Sequence, residues 1–288
     1  MRKGALLNAA AMALVFSLYW GAAAADDGGG VVTPAGWFFM GCVPGDEACD
    51  LDESPRKKFF IDAFAMDKHE VTVGEYAQCV KAGQCEKPRD KSDSRFCNWG
   101  YPDKDSYPVN CVNWNQAQGY CRWKGKRLPT EAEWEKAARK GSEESIYPWG
   151  NEKADCTRAV MDRGNSQNSS KDSDGCGKNG TWEICAKGPG AGGLCDMAGN
   201  VREWCRDRYD PQFFSFTPPS NPVKIGRNGD CSLRGGSWLQ DAESLRSSAR
   251  SHETPEAQPI DAGFRCVKSL SGNKLPTIDP ASPQGDSD

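Results

Sequence analysis

A chain of 288 residues with 36 basic against 40 acidic side chains, a formal net charge of −4, lacks the basic footprint of a nucleic-acid binder. The same balance argues against docking on anionic membrane surfaces. Its 31 glycines, 18 prolines and 10 tryptophans describe an irregular, loop-rich fold rather than a helical bundle.

Arg2 and Lys3 precede an apolar run from Ala5 to Trp20, and Ala22 to Ala25 then lead to Asp26. A basic start, a short apolar core and small residues before the junction form a secretory signal peptide over residues 1–25. A membrane anchor is the alternative, but a stretch of about 16 residues is short for a span of roughly 20. No lipobox cysteine follows the junction. The expectation is export, to the periplasm or outside the cell. Residues 26–34 read as a flexible leader, residues 35–268 as one domain, and residues 269–288, with Pro276, Pro280, Pro283 and several acids, as a disordered tail.

Within the domain, Lys58–Met66 has a β-like pattern. Thr72 and Glu75 form a capping-box pair that opens a helix, with Tyr76, Cys79 and Val80 on one face and Gly83 as its stop. A second helix is expected from Asn115 to Lys124, closed by Gly125. A third opens with the box Thr130–Glu133 and runs through Trp134 and Ala138 towards Gly141. The fold class is α+β with much coil.

Fourteen cysteines stand at Cys42, Cys49, Cys79, Cys85, Cys97, Cys111, Cys121, Cys156, Cys176, Cys185, Cys195, Cys205, Cys231 and Cys266. An even number in an exported chain reads as a disulfide framework. A zinc site would need C-x₂-C or histidine spacing, yet no pair has it and the histidines are His69 and His252 alone.

The remaining motifs come in a distinctive order. Met40-Gly41, Asp52–Pro55 and Glu70–Thr72 are followed by Tyr107–Trp114, Gly125–Arg139 and Tyr147–Asn151. Then come Gly193–Trp204, Arg234–Trp238 and Gly263–Cys266. Together they resemble the formylglycine-generating enzyme, or sulfatase-modifying factor, family domain over about residues 36–268. The resemblance implies a single compact domain related to the C-type-lectin fold. Active members oxidise a cysteine of an unfolded sulfatase to formylglycine, using copper held by two cysteines just after the Gly-Gly-Ser block.

Here that block is Gly235-Gly236-Ser237, and Ser237 matches a family active-site serine. The first catalytic cysteine would fall on Gln240 and the second within Asp241–Ser248, where no cysteine occurs. None occurs anywhere between Cys231 and Cys266. Cu(I) is a soft ion that favours sulfur, so copper is not expected as a cofactor. Relatives without the cysteine pair occur in siderophore maturation, in ergothioneine biosynthesis and beside kinases. The iron-dependent ergothioneine type takes histidines from a separate helical domain, and His69 and His252 alone do not replace them.

The resemblance further implies structural calcium. Its ligands would be the side chains of Asp196 and Glu203 and the carbonyls of Gly199 and Val201. A second site would use Asp174, the Cys176 carbonyl and the Ala159–Val160 neighbourhood. Carboxylates plus carbonyls suit a hard cation. The resemblance also pairs Cys121 with Cys266. Adjacency then pairs the others as 42–49, 79–85, 97–111, 156–176, 185–195 and 205–231. Arg246, Arg250 and Arg265 read as buried braces, and a pocket is expected among Ser237, Trp238, Gln240 and Arg250. The reading is an exported binding module for a peptide, glycan or protein. Its alternatives are a tailoring enzyme of altered chemistry and a formylglycine-forming oxidase.

Overall fold

The computed structural model describes residues 30–141, 143–163, 175–190 and 192–271. The signal segment, Asp174 and the chain beyond 271 lie outside them. Among the described residues no helix is long and apolar enough to cross a membrane.

Three small sheets carry the architecture. Strands β1 (Val31–Thr33), β4 (Phe64–Met66) and β9 (Val267–Ser269) form one, in the order β1-β4-β9. Strands β2 (Gly36–Met40) and β3 (Lys57–Ile61) form an antiparallel pair. The third sheet has the order β7-β6-β5-β8, from β5 (Arg202–Arg208), β6 (Cys231–Arg234), β7 (Arg250–Glu253) and β8 (Ala262–Gly263).

Three expectations shift. The run Lys58–Met66 is not one strand but the end of β3 and all of β4, which belong to different sheets separated at Asp62 and Ala63. The leader ends earlier than residue 34, because Val31–Thr33 pairs with Phe64–Met66. At the other end, Ser269 is still in β9 and the Leu270 amide donates to Ala63 O at 3.0 Å, so the domain outlasts residue 268.

The helices follow their caps. Helix α1 (Val73–Lys81) starts at Thr72, whose hydroxyl accepts from Glu75 N while the Glu75 carboxylate accepts from Thr72 N. Helix α3 (Glu131–Ala138) repeats this with Thr130 and Glu133. Helix α2 begins one residue before expectation, Trp114–Trp123, because Asn113 and Gln116 form a box of the same geometry with amide side chains. Helix α4 is a single turn, Phe213–Phe216.

Two cores lie on either side of β5. Successive strand side chains point to opposite faces. Trp204 therefore packs with Tyr76, Trp114, Tyr120 and Phe264, while its neighbour Cys205 packs with Phe59, Trp134 and Phe213. A smaller cluster gathers Tyr147, Met161 and Leu245.

This alternation explains the one cysteine pairing that the structure overturns. Bridges join 42–49, 79–85, 97–111, 121–266, 156–176 and 185–195. Cys205 and Cys231 are buried free thiols, although they sit on neighbouring strands. Cys231 is opposite Arg208 across a β-bulge and faces the first core; Cys205 faces the second. The sheet itself stands between them. Alkylation under denaturing, non-reducing conditions should label two thiols per chain, and peptide mapping should place both labels on Cys205 and Cys231. Removing the Cys121–Cys266 bridge, which closes 145 residues, should cost about 4–5 kcal/mol in chemical denaturation.

Candidate functional site

The Gly-Gly-Ser turn is built by exclusion. Gly235 and Gly236 have φ of 94° and 66°. A Cβ on Gly235 would lie 2.9 Å from the Trp134 ring, and one on Gly236 would lie 2.6 Å from Leu245 and 2.8 Å from Ser244 O. Both dihedral and space demand glycine. The turn delivers Ser237 into the interior, fully buried, with its Oγ donating to Asp261 Oδ2 at 2.8 Å.

Asp261 is in turn clamped by Arg202, whose Nε and Nη2 reach its two oxygens at 3.0 and 2.9 Å. Asp261 and Arg202 thereby hold the Ser237 hydroxyl in one orientation. Gln240, at the position of the first missing cysteine, is half-buried. Its Oε1 lies 3.5 Å from Ser237 Oγ, and its carbonyl accepts from Asp162 N at 2.9 Å. Trp238 is buried against Phe96 at 5.3 Å.

Arg250 does not join Ser237. It bonds Glu131 and the carbonyls of Asp52 and Asp210. Arg246 pairs with Glu53 and Asp46, and Arg265 with Glu203. The three arginines brace the interior.

Thiolate chemistry is remote from this turn. Burial pushes the Cys205 thiol well above its ordinary range and the Cys231 thiol up to about 12. Held on opposite faces of a sheet, the two cannot converge on one soft metal ion.

The acidic loop is stitched to the turn: Gly199 N donates to Gly235 O at 2.8 Å, and Trp238 N to Asn200 O at 3.0 Å. Gly199 has a φ of 84°, and a Cβ there would meet Val160 O at 2.4 Å. Asp196, with a φ of 53°, turns its carboxylate inward to accept from Cys185 N at 2.6 Å. Glu203 receives Arg265 Nη2 on Oε1 at 2.6 Å, and Arg265 Nε and Trp134 Nε1 on Oε2 at 2.8 and 2.9 Å. Val201, between them in sequence, is fully buried.

A third carboxylate completes this cluster, and sequence reasoning gave it no role. Glu70 is fully buried; its Oε1 accepts from Asn200 Nδ2 at 3.1 Å, and its Oε2 has no hydrogen-bond partner. Burial, with repulsion from Asp196, raises the Glu70 carboxyl well above the usual range, and burial raises Asp196 too. The only early signal for Glu70 was its place beside the apolar Val71 inside a motif block.

Glu70, Asp196 and Glu203 all act on the single guanidinium of Arg265 and form an acid-rich nest in the interior; carboxylate oxygens are the ligands a hard cation takes. The orphaned Glu70 Oε2 and the Asp196 carboxylate are the available donors. Glu203 has both oxygens engaged and retains spare lone pairs on Oε1.

Of the second expected ion site, Asp174 lies outside the described residues. Cys176 has a φ of 57°, is bridged to Cys156, and donates its amide to Met161 O at 3.1 Å, beside Ala159 and Val160. A cleft of about 310 Å³ runs past Asp196 between Trp149, Arg158, Lys187 and Met197.

Known proteins share this frame. A family model described as the sulfatase-modifying factor enzyme 1-like domain matches residues 19–270. The formylglycine-generating enzyme of Streptomyces coelicolor is 31% identical over 277 residues, 81% of this chain and 87% of its own. The serine/threonine-protein kinase pkn1 of Chlamydia pneumoniae is 32% identical over 84% of this chain, which spans 38% of the kinase. The solved structure of PvdO from Pseudomonas aeruginosa is similar with a TM-score of 0.67 and 25% identity, covering 83% of this chain and 93% of that one.

The Arg265–Glu203 pair is inaccessible on both sides. Glu203→Gln removes the carboxylate that pairs directly with the buried Arg265 guanidinium, and the loss should be about 3–5 kcal/mol in urea denaturation.

Proposed function

Because the chain belongs to the sulfatase-modifying factor enzyme 1-like family, we propose that it is an exported module of that type without copper-dependent formylglycine synthesis. It acts by binding a peptide, glycan or protein partner on a frame stabilised by disulfides and calcium. The observation that carries this reading is the missing thiol pair after Ser237. Gln240 replaces the first cysteine, and the two free thiols of the described chain are buried on opposite faces of β5 and β6. Six disulfides among the described residues support the exported setting, since such bridges persist in oxidising compartments.

Calcium would be held by the Asp196 and Glu203 carboxylates with the carbonyls of Gly199 and Val201, and Glu70 would add negative charge beside them. Bound there, it supplies positive charge that the single Arg265 does not provide. The protein's own contribution is to aim three acids inward and to exclude competing water by burial.

A second reading, an enzyme of altered chemistry, is favoured by one contact, the buried Ser237 Oγ–Asp261 bond. A redox metal or organic cofactor at one equivalent in purified protein, or a product lost in Ser237→Ala, would select it.

Copper-loaded protein incubated with a cysteine-containing sulfatase-motif peptide should leave the peptide mass unchanged; appearance of the aldehyde would refute the primary reading. The acid nest makes a separate pH statement. Glu70 and Asp196 have raised folded-state values, so their contribution to stability is full below about pH 4. It is lost as pH rises through the folded values and the carboxyls are forced to ionise in the interior. Calcium-free protein should therefore lose stability from about pH 4 upwards. Calcium should restore it near neutrality, and Glu70→Gln should flatten the slope and blunt the calcium-induced rise in Tm.

A further inference from the structure

A cavity of about 500 Å³ opens between the end of α2, the residues after β4, and β9. It shares no lining residue with the Ser237 turn or with the acid nest. Lys68, Lys124, Lys126 and Lys268 surround it, with His69, against two carboxylates, Asp67 and Glu75. In a chain of net charge −4, this is a local inversion of sign.

Neither carboxylate is idle. Asp67 accepts Lys126 Nζ on Oδ1 at 2.5 Å and Cys266 N on Oδ2 at 3.1 Å. Glu75 is drawn back to the start of α1, accepting from Thr72 N at 2.9 Å. Lys68 and Lys124 are exposed, and neither has a carboxylate partner among the described residues. Lys124 rests 5.4 Å above the Trp123 ring.

Lysines that follow a helix often serve to satisfy its last carbonyls. That role is already filled, because Tyr120 O, Cys121 O and Arg122 O accept from the backbone amides of Lys124, Lys126 and Gly125. The Lys124 ammonium is therefore not called on there. His69 Nδ1 must donate to the Glu70 carbonyl at 2.8 Å, which leaves Nε2 as a further polar group at the rim. The Cys121–Cys266 bridge fixes the two walls against each other.

We propose that this cavity binds a small, multiply charged oxyanion, a molecule of one or two ring sizes bearing sulfate, phosphate or carboxylate groups. A volume in the range of roughly 300–1,000 Å³ suits such a ligand better than a single inorganic ion. Ammonium groups around a concave wall recognise the charge, and the Tyr120 ring supplies an apolar edge. The proposal deepens the binding-module reading by naming a ligand class. Its failure is separable, because the peptide-oxidation assay tests that reading without using this cavity.

The test is calorimetric titration of the full folded protein with a sulfated disaccharide, inositol hexakisphosphate and citrate, at low and physiological salt. At least one probe should bind, with an affinity that weakens as salt rises. The double variant K68E/K124E should weaken it by about 100-fold and K68A/K124A by about 10-fold, with unchanged Tm, at roughly tenfold per 1.4 kcal/mol. The reversal K81E/K87E, on exposed lysines outside the cavity, should leave it intact. The probe that binds identifies the source of the oxyanion. No binding by any probe, or binding that survives both cavity variants, overturns the proposal.

Discussion

A guanidinium buried against a carboxylate is the interaction on which this fold depends. Helix α3 supplies Glu131 and Glu135, both fully buried: Glu131 receives Arg250, and Glu135 receives Arg139, Arg234 and the Gly41 amide. Glu53 holds Arg246, and Glu203 holds Arg265. Apart from Glu135–Arg139, four residues apart at the end of α3, each pair ties segments far apart in the chain. Charges taken out of water recover their hydration only with good partners and geometry. Every such pair therefore excludes alternative arrangements in which one member is left unmatched. A chain whose described residues hold only short strands and short helices needs such exclusion, since its backbone ladders alone specify little.

The same pairs position the candidate site. Trp134 sits between the Glu135 network and Glu203, donating its ring N–H to the latter, and its bulk dictates glycine at position 235. Gly235 in turn receives the Gly199 amide, so helix, turn and acidic loop form one rigid unit. Ser237 is fixed within that unit by Asp261 and Arg202. Among the described residues the free thiols are Cys205 and Cys231, sealed on opposite faces of a sheet, so this rigid, serine-bearing turn lacks the groups that would hold a soft metal.

Much of this was legible in the residues. Capping boxes place α1 and α3 because the box is a local hydrogen-bond device, written within four residues. The amide version at Asn113 and Gln116 was overlooked, which moved α2 by one position. The division of Lys58–Met66 into two strands was not legible, because apolar alternation does not say which sheet a residue joins. Six bridges join cysteines as adjacency or the family pattern assigns them. Cys205 and Cys231 do not, because facing is set by a β-bulge and strand pairing that spacing does not encode. Glu70 was invisible for a related reason. Its importance comes from Asn200 and Asp196, more than a hundred residues away.

The two buried thiols have a consequence for biogenesis. In an unfolded chain entering an oxidising compartment they are as reactive as the other twelve cysteines, and nothing in their spacing marks them as bystanders. Any bond that either forms with one of the twelve bridged cysteines displaces a native partner, and the displaced sulfur is then open to a further wrong match. Only the assembled sheet, with one thiol sealed into each core, takes them out of circulation. In an oxidising setting, exchange among the sulfurs would thus run on until β5 closes against β6 and seals both thiols away.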